Sequence, residues 1–162
     1  MADLFARAFR FRVTLSPSPK LGVPPGGGTL GDGAFQECSG LDLEMDVAEH
    51  VEGGRNNGVI QRAGRAKVAR IVLRRGMLHA TGGRVDSDLW RWFQDVVDGV
   101  RPLRRYDGTI AVLDEREQPA AVWTFTRGLP AKVVGPQLDA RTGEVAIEEL
   151  QIAHEGLRLE VR

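Results

Sequence analysis

Leu41-Asp42-Leu43-Glu44-Met45-Asp46-Val47-Ala48-Glu49-His50 is the stretch whose reading decides the fold. Leu41, Leu43, Met45 and Val47 fall on one face of an extended chain. Asp42, Glu44, Asp46, Ala48 and His50 fall on the other. A period of two is the signature of a β-strand, and the polar phase predicts one solvated face. Gly53-Gly54 ends the run, and a polar, glycine-bearing loop is predicted over Arg55 to Ala66. Val68 to Leu73 reads as a β-branched apolar strand closing in Arg74-Arg75-Gly76.

Outward from this centre the same period recurs. Phe9, Phe11, Val13 and Leu15 alternate with Arg10, Arg12 and Thr14, which predicts a half-buried strand. Ser16 to Gly33 then holds four prolines and six glycines and reads as a long loop. Towards the C-terminus, Asp107-Gly108 is a turn signal. Thr109 to Leu113 and Ala120 to Thr126 predict a hairpin across Asp114 to Pro119, followed by a short strand at Lys132 to Val134. In the last strand Val145 and Ile147 share one phase, while Leu150, Ile152 and His154 take the other. That slip predicts a β-bulge at Glu148-Glu149.

One segment has helical periodicity. Leu89, Trp92, Phe93, Val96, Val97 and Val100 recur at helix spacing, with Arg91, Gln94, Asp95 and Asp98 opposite. Asp86, Ser87 and Asp88 supply N-cap oxygens, and Gly99 and Pro102 stop the helix. About seven strands with a single helix predict a mainly β fold, a β-barrel or sandwich with the helix laid against it. A length of 162 residues fits one domain, 1–162, with 16–33 as an insertion in it.

Composition excludes several functions. Lys plus Arg and Asp plus Glu both number 22, so the net charge is zero and the basic surplus of a nucleic-acid binder is missing. A single cysteine, Cys38, allows no disulfide within the chain and reads as a small buried apolar side chain. His50, His79 and His154 do not have metal-ligand spacing among themselves or with Cys38. His154, in the apolar phase of its strand, reads as a hydrogen-bonded core or interface histidine. The glycine clusters Gly26-Gly27-Gly28 and Gly82-Gly83 lack a phosphate-binding pattern. Glu148 and Glu149 point to opposite faces of a strand unless bulged, and make poor acid/base partners. The expectation is therefore no catalytic residue, no cofactor and no metal. No run approaches a membrane span, and Met1 to Arg12 has no signal-type apolar stretch, so synthesis in the cytoplasm is expected.

Charge is segregated along the chain. Residues 35 to 52 carry six acids and no base, and residues 55 to 75 carry seven bases and no acid. Two readings stand. Opposite charges pair across one hairpin within the subunit, or a basic loop meets an acidic edge of the next copy in a head-to-tail contact.

Ordered landmarks then carry a resemblance. They are Phe9 to Leu15; Phe35-Gln36-Glu37-Cys38-Ser39-Gly40-Leu41; Glu52-Gly53-Gly54; Leu73-Arg74-Arg75-Gly76; Leu89-Trp90-Arg91-Trp92-Phe93 through Gly99; and Asp107 to Asp114. Trp123-Thr124-Phe125, Gly128-Leu129-Pro130, Gly135-Pro136, Leu138-Asp139-Ala140 and Glu144 to Leu157 complete the series. Together they resemble the tail-tube family of contractile phages and extracellular contractile injection systems. The long Ser16 to Gly33 loop departs from the family, which usually has a tight hairpin there.

The resemblance implies homo-hexameric rings stacked into a hollow inner tube, with a β-barrel-like subunit similar to that of type VI secretion. It implies a contractile sheath and baseplate or spike proteins as partners, and DNA or protein cargo in the lumen. By the same similarity, Gly54 to Ala66 is the expected ring-stacking loop, with Arg55, Arg62 and Arg65 meeting Glu49 and Glu52 of the next ring. Trp90 or Trp92 is expected at the boundary within the ring. The alternatives are a non-enzymatic ligand-binding β-barrel, or a tube-initiating or terminating ring of the same machinery.

Overall fold

One strand organises the molecule. In the computed structural model, which describes residues 10–19, 29–30, 35–77 and 85–160, Pro119–Val134 forms a 16-residue strand. The strands before it are β1 (Phe11–Pro17), β2 (Glu37–Ser39), β3 (Leu43–His50), β4 (Ile60–Val68), β5 (Ile71–Gly76) and β6 (Tyr106–Leu113). The 16-residue strand is β7; β8 (Ile147–Ala153) and β9 (Gly156–Glu160) follow it. The one helix among the described residues, α1 (Asp88–Val97), lies between β5 and β6.

β8 and β9 run antiparallel along the same edge of β7, from Val134↔Glu149 to Val122↔Glu160. The ribbon bends between them. Arg127 takes a left-handed backbone (φ 52°), its N–H donates to Asp107 Oδ1 at 2.9 Å, and its guanidinium meets Glu155 at 2.9 Å. The β6–β7 register shifts at this point, so a bulge turns the corner. On one side of it stand β1, β6, the first half of β7, and β9. On the other stand the second half of β7, β8, β5 and β2. A strand that changes sheets at a bend is how two β-layers come to share a core.

That core takes Val13, Leu15, Ile110, Phe125 and Leu157 from the first layer, and Ile71, Leu73, Leu150 and Ile152 from the second. Leu89 and Trp92 of α1 join them. Each such side chain contributes about 1.5–3 kcal/mol when fully buried. Trp92 meets Tyr106 edge-to-face, with centroids 4.8 Å apart, and its indole N–H donates to the Arg104 carbonyl at 2.9 Å. The helix ends in a Schellman arrangement: Val100 N–H reaches the Asp95 carbonyl at 3.0 Å, and Gly99 N–H reaches Val96 at 3.2 Å. At its other end the Asp86 carboxylate accepts the Asp88 N–H at 3.0 Å, whereas Ser87 makes no side-chain cap.

The mainly β fold with one packed helix is as expected, and six local readings are corrected. Arg55 to Ala66 is not one loop, because β4 begins at Ile60. Val68 to Leu73 is not one strand: Ala69 and Arg70 separate β4 from β5. Asp107-Gly108 lies inside β6, and the β6–β7 turn is instead closed by Asp114, whose carboxylate accepts the N–H groups of Arg116 and Gln118, both at 2.8 Å. Lys132 to Val134 is the end of β7 and no separate strand.

The fifth correction concerns Glu148-Glu149. The β5–β8 register runs unbroken from Ile71↔Ile152 to Gly76↔Ile147, so no bulge exists there. The apolar phase of Leu150 and Ile152 simply continues back to a buried acid. Glu148 is fully buried, receives the Arg75 Nε–H at 2.6 Å and the Trp90 indole N–H at 2.9 Å, and so clamps α1 to the sheet. Ser16 and Pro17, read as loop, belong to β1, and Leu30 bridges Leu15. Phe9, His79 and residues 20–28 and 31–33 of the 16–33 stretch lie outside the described residues.

Candidate assembly surface

β2 and β3 face β5 and β4 as one long hairpin. The pairing runs Glu37↔Arg74, Cys38↔Leu73 and Ser39↔Val72, then resumes at Leu43↔Val68 with nothing inserted on either side. Between these blocks the chain kinks. Gly40 sits at φ 86° with its α-carbon against the Arg70 carbonyl, where any side chain would collide. Opposite it, the buried His154 lies with Nε2 2.9 Å from the Ala69 carbonyl. His154 is thus a hydrogen-bonded core histidine. Below the kink the hairpin is the edge of the body sheet. Above it, β3 and β4 form a separate two-stranded sheet, an arm.

Among the described residues the arm packs against no other element of its own chain. Every residue of β3 is exposed, and every residue of β4 except Ile60. The expectation that one face of Leu41 to His50 is covered is therefore corrected for the isolated chain. Leu43, Met45 and Val47 are 68%, 50% and 60% exposed. Their cross-strand partners on the same face are Val68, Ala66 and Ala63. The face ends in Glu49 beside Gln61. On the other face Lys67 meets Asp46 at 2.7 Å, and Arg62 stands opposite Ala48. A bulge between Met45 and Val47 sets the twist, and Gly64 is pressed so closely on the Asp46 carbonyl there that a β-carbon would not fit.

The sequence-derived stacking residues all lie on this arm. Glu49 is in β3, Arg62 and Arg65 are in β4, and Glu52 and Arg55 are in the tip, where Arg55 N–H turns back to the Glu52 carbonyl at 3.2 Å. All five are exposed. Among the described residues none of Arg55, Arg62 and Arg65 lies within ion-pair distance of an acid. Charge pairing within the hairpin accounts for Lys67–Asp46 and Arg74–Glu37 and leaves these arginines over. The two tryptophans separate. Trp92 is a core residue, 3% exposed, with no surface to offer a neighbour. Trp90 is half-buried beside Gly135 and hydrogen-bonded to Glu148.

What sequence reading missed is the apolar face itself. Alternation located Leu43, Met45 and Val47 on one side but predicted only that the opposite, polar side is solvated. Burial pushes the Cys38 thiol up to about 11, so it stays protonated and unreactive at neutral pH. Among the described residues no group of His, Cys, Asp and Glu could hold a metal ion, and no helix is long and apolar enough to cross a membrane.

Comparison with known proteins agrees with this geometry. Residues 7–158 match the family model of the T4-like virus tail tube protein gp19. Among solved structures, the chain is similar to one from the six-fold symmetrised baseplate of the anti-feeding prophage: 26% identity, TM-score 0.79, 98% of this chain and 97% of that one. It has the fold of a chain from the sheath-tube complex of the PVC extracellular contractile injection system, at 18% identity and TM-score 0.74 over 99% and 95% of the two chains. The tube-terminating cap of the anti-feeding prophage shares that fold too, at 18% identity and TM-score 0.76 over 100% and 95%. No curated protein matches. With a match that spans nearly the whole chain, the protein belongs to the T4-like virus tail tube protein family.

Proposed function

We propose that the chain works by polymerising as the inner-tube subunit of a contractile, phage-tail-like injection system. Six copies close a ring, rings stack into a hollow tube, a contractile sheath surrounds the tube, and a baseplate and spike cap it. The lumen carries DNA or protein cargo. The subunit is made in the cytoplasm, acts as one tail-tube domain with 16–33 as an insertion, and performs no catalysis and holds no cofactor.

The arm carries this reading. A 162-residue chain that displays a two-stranded sheet with Leu43, Met45, Val47 and Val68 bare leaves an apolar face that other copies must cover. A tube driven through an envelope needs obligate interfaces, on the order of 2,000 Å² or more. An arm whose strands reach roughly 26 Å, at about 3.3 Å per residue, enlarges the contact without enlarging the body. In stacking, Arg55, Arg62 and Arg65 meet Glu49 and Glu52 of the adjoining ring. Trp90 is the tryptophan left to serve the boundary within the ring.

Negative-stain electron microscopy of the purified protein, with its mass in solution, tests the proposal. Six-fold rings or stacked hollow tubes are expected. A strict monomer at high concentration, even beside a baseplate template, would overturn it.

A further inference from the structure

The arm's apolar face has a counterpart on the body. Gln137 to Ile147 folds into an open groove walled by Leu138, Val145 and Ile147. Leu138 is 85% exposed and Val145 67%. The groove is held firmly. Met77 N–H donates to the Ala146 carbonyl at 2.8 Å, and Asp139 closes its far side by accepting Arg141 N–H at 2.9 Å. Val145 itself rests over Gly76.

The positions of arm and groove matter more than their chemistry. β5 and β8 pair from Ile71↔Ile152 to Gly76↔Ile147. The arm leaves the body at the Ile71 end, and the groove opens at the Gly76 end. Six residues of strand hold them about 17 Å apart. Arm and groove are both bare in the isolated chain, so neither covers the other within one copy.

We infer that the apolar face of the arm, Leu43, Met45 and Val47, seats in the 137–147 groove of a second copy of this chain. The inference rests on the tube reading and names the surface that receives the arm. Two different patches at the two ends of the β5–β8 pairing make a heterologous contact, which extends as an open stack when its rotation does not close.

Paired cysteines test the contact. In a Cys38→Ser background, Met45→Cys combined with Leu138→Cys or with Val145→Cys should give, on oxidation of the assembled protein, a covalent ladder of trimers and higher species. Each single variant should stop at dimers. Complementation supplies a second measurement independent of disulfide geometry. Met45→Glu removes the arm face and Leu138→Glu the groove, and each variant alone should fail to stack. Mixed, they retain one good arm and one good groove, and should form stacks of two rings and no longer. Tubes without the ladder, or a mixture that fails to pair, would overturn the docking while leaving the tube reading intact. A strictly monomeric wild-type chain would sink both.

Discussion

The two halves of one hairpin behave differently. β2 and β5 below the kink, and β3 and β4 above it, pair in the same register across Gly40. Both halves alternate apolar and polar residues. In β5 the inward phase, Ile71, Leu73 and Arg75, is fully buried in the chain's own core. In the arm the apolar phase, Leu43, Met45 and Val47, is bare. Alternation therefore records that a face is to be covered and says nothing about whose atoms cover it. If the arm face is an assembly surface, body and arm must answer differently to the same kinds of substitution. The following outcomes are ordered by their effect on the stability of the unassembled subunit.

The largest effect belongs to the buried acid of the body. Glu148→Ala strands the Arg75 guanidinium without its 2.6 Å partner and frees the Trp90 indole N–H. Removing one member of a buried pair costs about 3–5 kcal/mol. For a domain of this size that lowers the melting temperature by roughly 6–20 °C. The double variant Arg75→Met with Glu148→Leu should recover most of the loss, since neither fully buried charge then remains and Asp86, 3.6 Å from Arg75, is partly solvated. A Glu148→Ala subunit that melts like wild type would mean the clamp between α1 and the sheet contributes nothing.

Next comes Gly108. Its α-carbon lies against the Phe125 ring, and a β-carbon would occupy the ring's own volume. Gly108→Ala should cost about 1–3 kcal/mol by overpacking. Gly58, in the arm tip, has open space where its β-carbon would go. Gly58→Ala should leave the melting temperature within about 1–2 °C, a change of no more than roughly 0.5 kcal/mol. Equal losses at the two sites would erase the distinction between packed body and unpacked arm.

A smaller effect is expected with pH at the sheet edge. The Gln151 amide and Arg74 hold the Glu149 carboxyl below the usual range; Arg74 lies 2.7 Å away. A lowered pKa means stability that is present above the ordinary glutamate range and lost as pH falls through the folded value. Melts from pH 7 to pH 3 should show that loss beginning near pH 4.5. The contribution should stay below about 1 kcal/mol, because Arg74 is largely solvated. Glu149→Gln should flatten this part of the profile.

How much of this was legible in the sequence depends on what enforces each feature. The helix was readable because Leu89, Trp92 and Gly99 carry local signals that tertiary contacts do not override. The strands of the body were readable by their period of two. The position of Glu148 was not. A buried acid breaks an apolar pattern just as a bulge does, and only the partner Arg75, 73 residues away in sequence, tells the two apart. Asp107-Gly108 looked like a turn because small and acidic residues also serve bulges and close ring contacts. The arm was misread as half-buried for the deepest reason. Among the described residues no part of this chain's own fold covers Leu43 and Met45.

The smallest expected effect on stability is the one that separates the halves most sharply. Met45→Glu with Val47→Glu places two charges on the bare face of the arm, where both side chains are already at least half exposed. Nothing in the isolated subunit loses a packing partner, so the melt should shift by no more than about 0.5 kcal/mol. The same substitutions put two unpaired carboxylates into any interface formed there, which costs several kcal/mol per contact. Repeated along a tube, that penalty should abolish stacking. The expected result is a fully folded subunit that no longer polymerises. If the variant melts as early as Glu148→Ala, the face is covered within the chain, and the arm is another edge of the body. If it melts normally and still forms long tubes, the arm is free but does not join the rings.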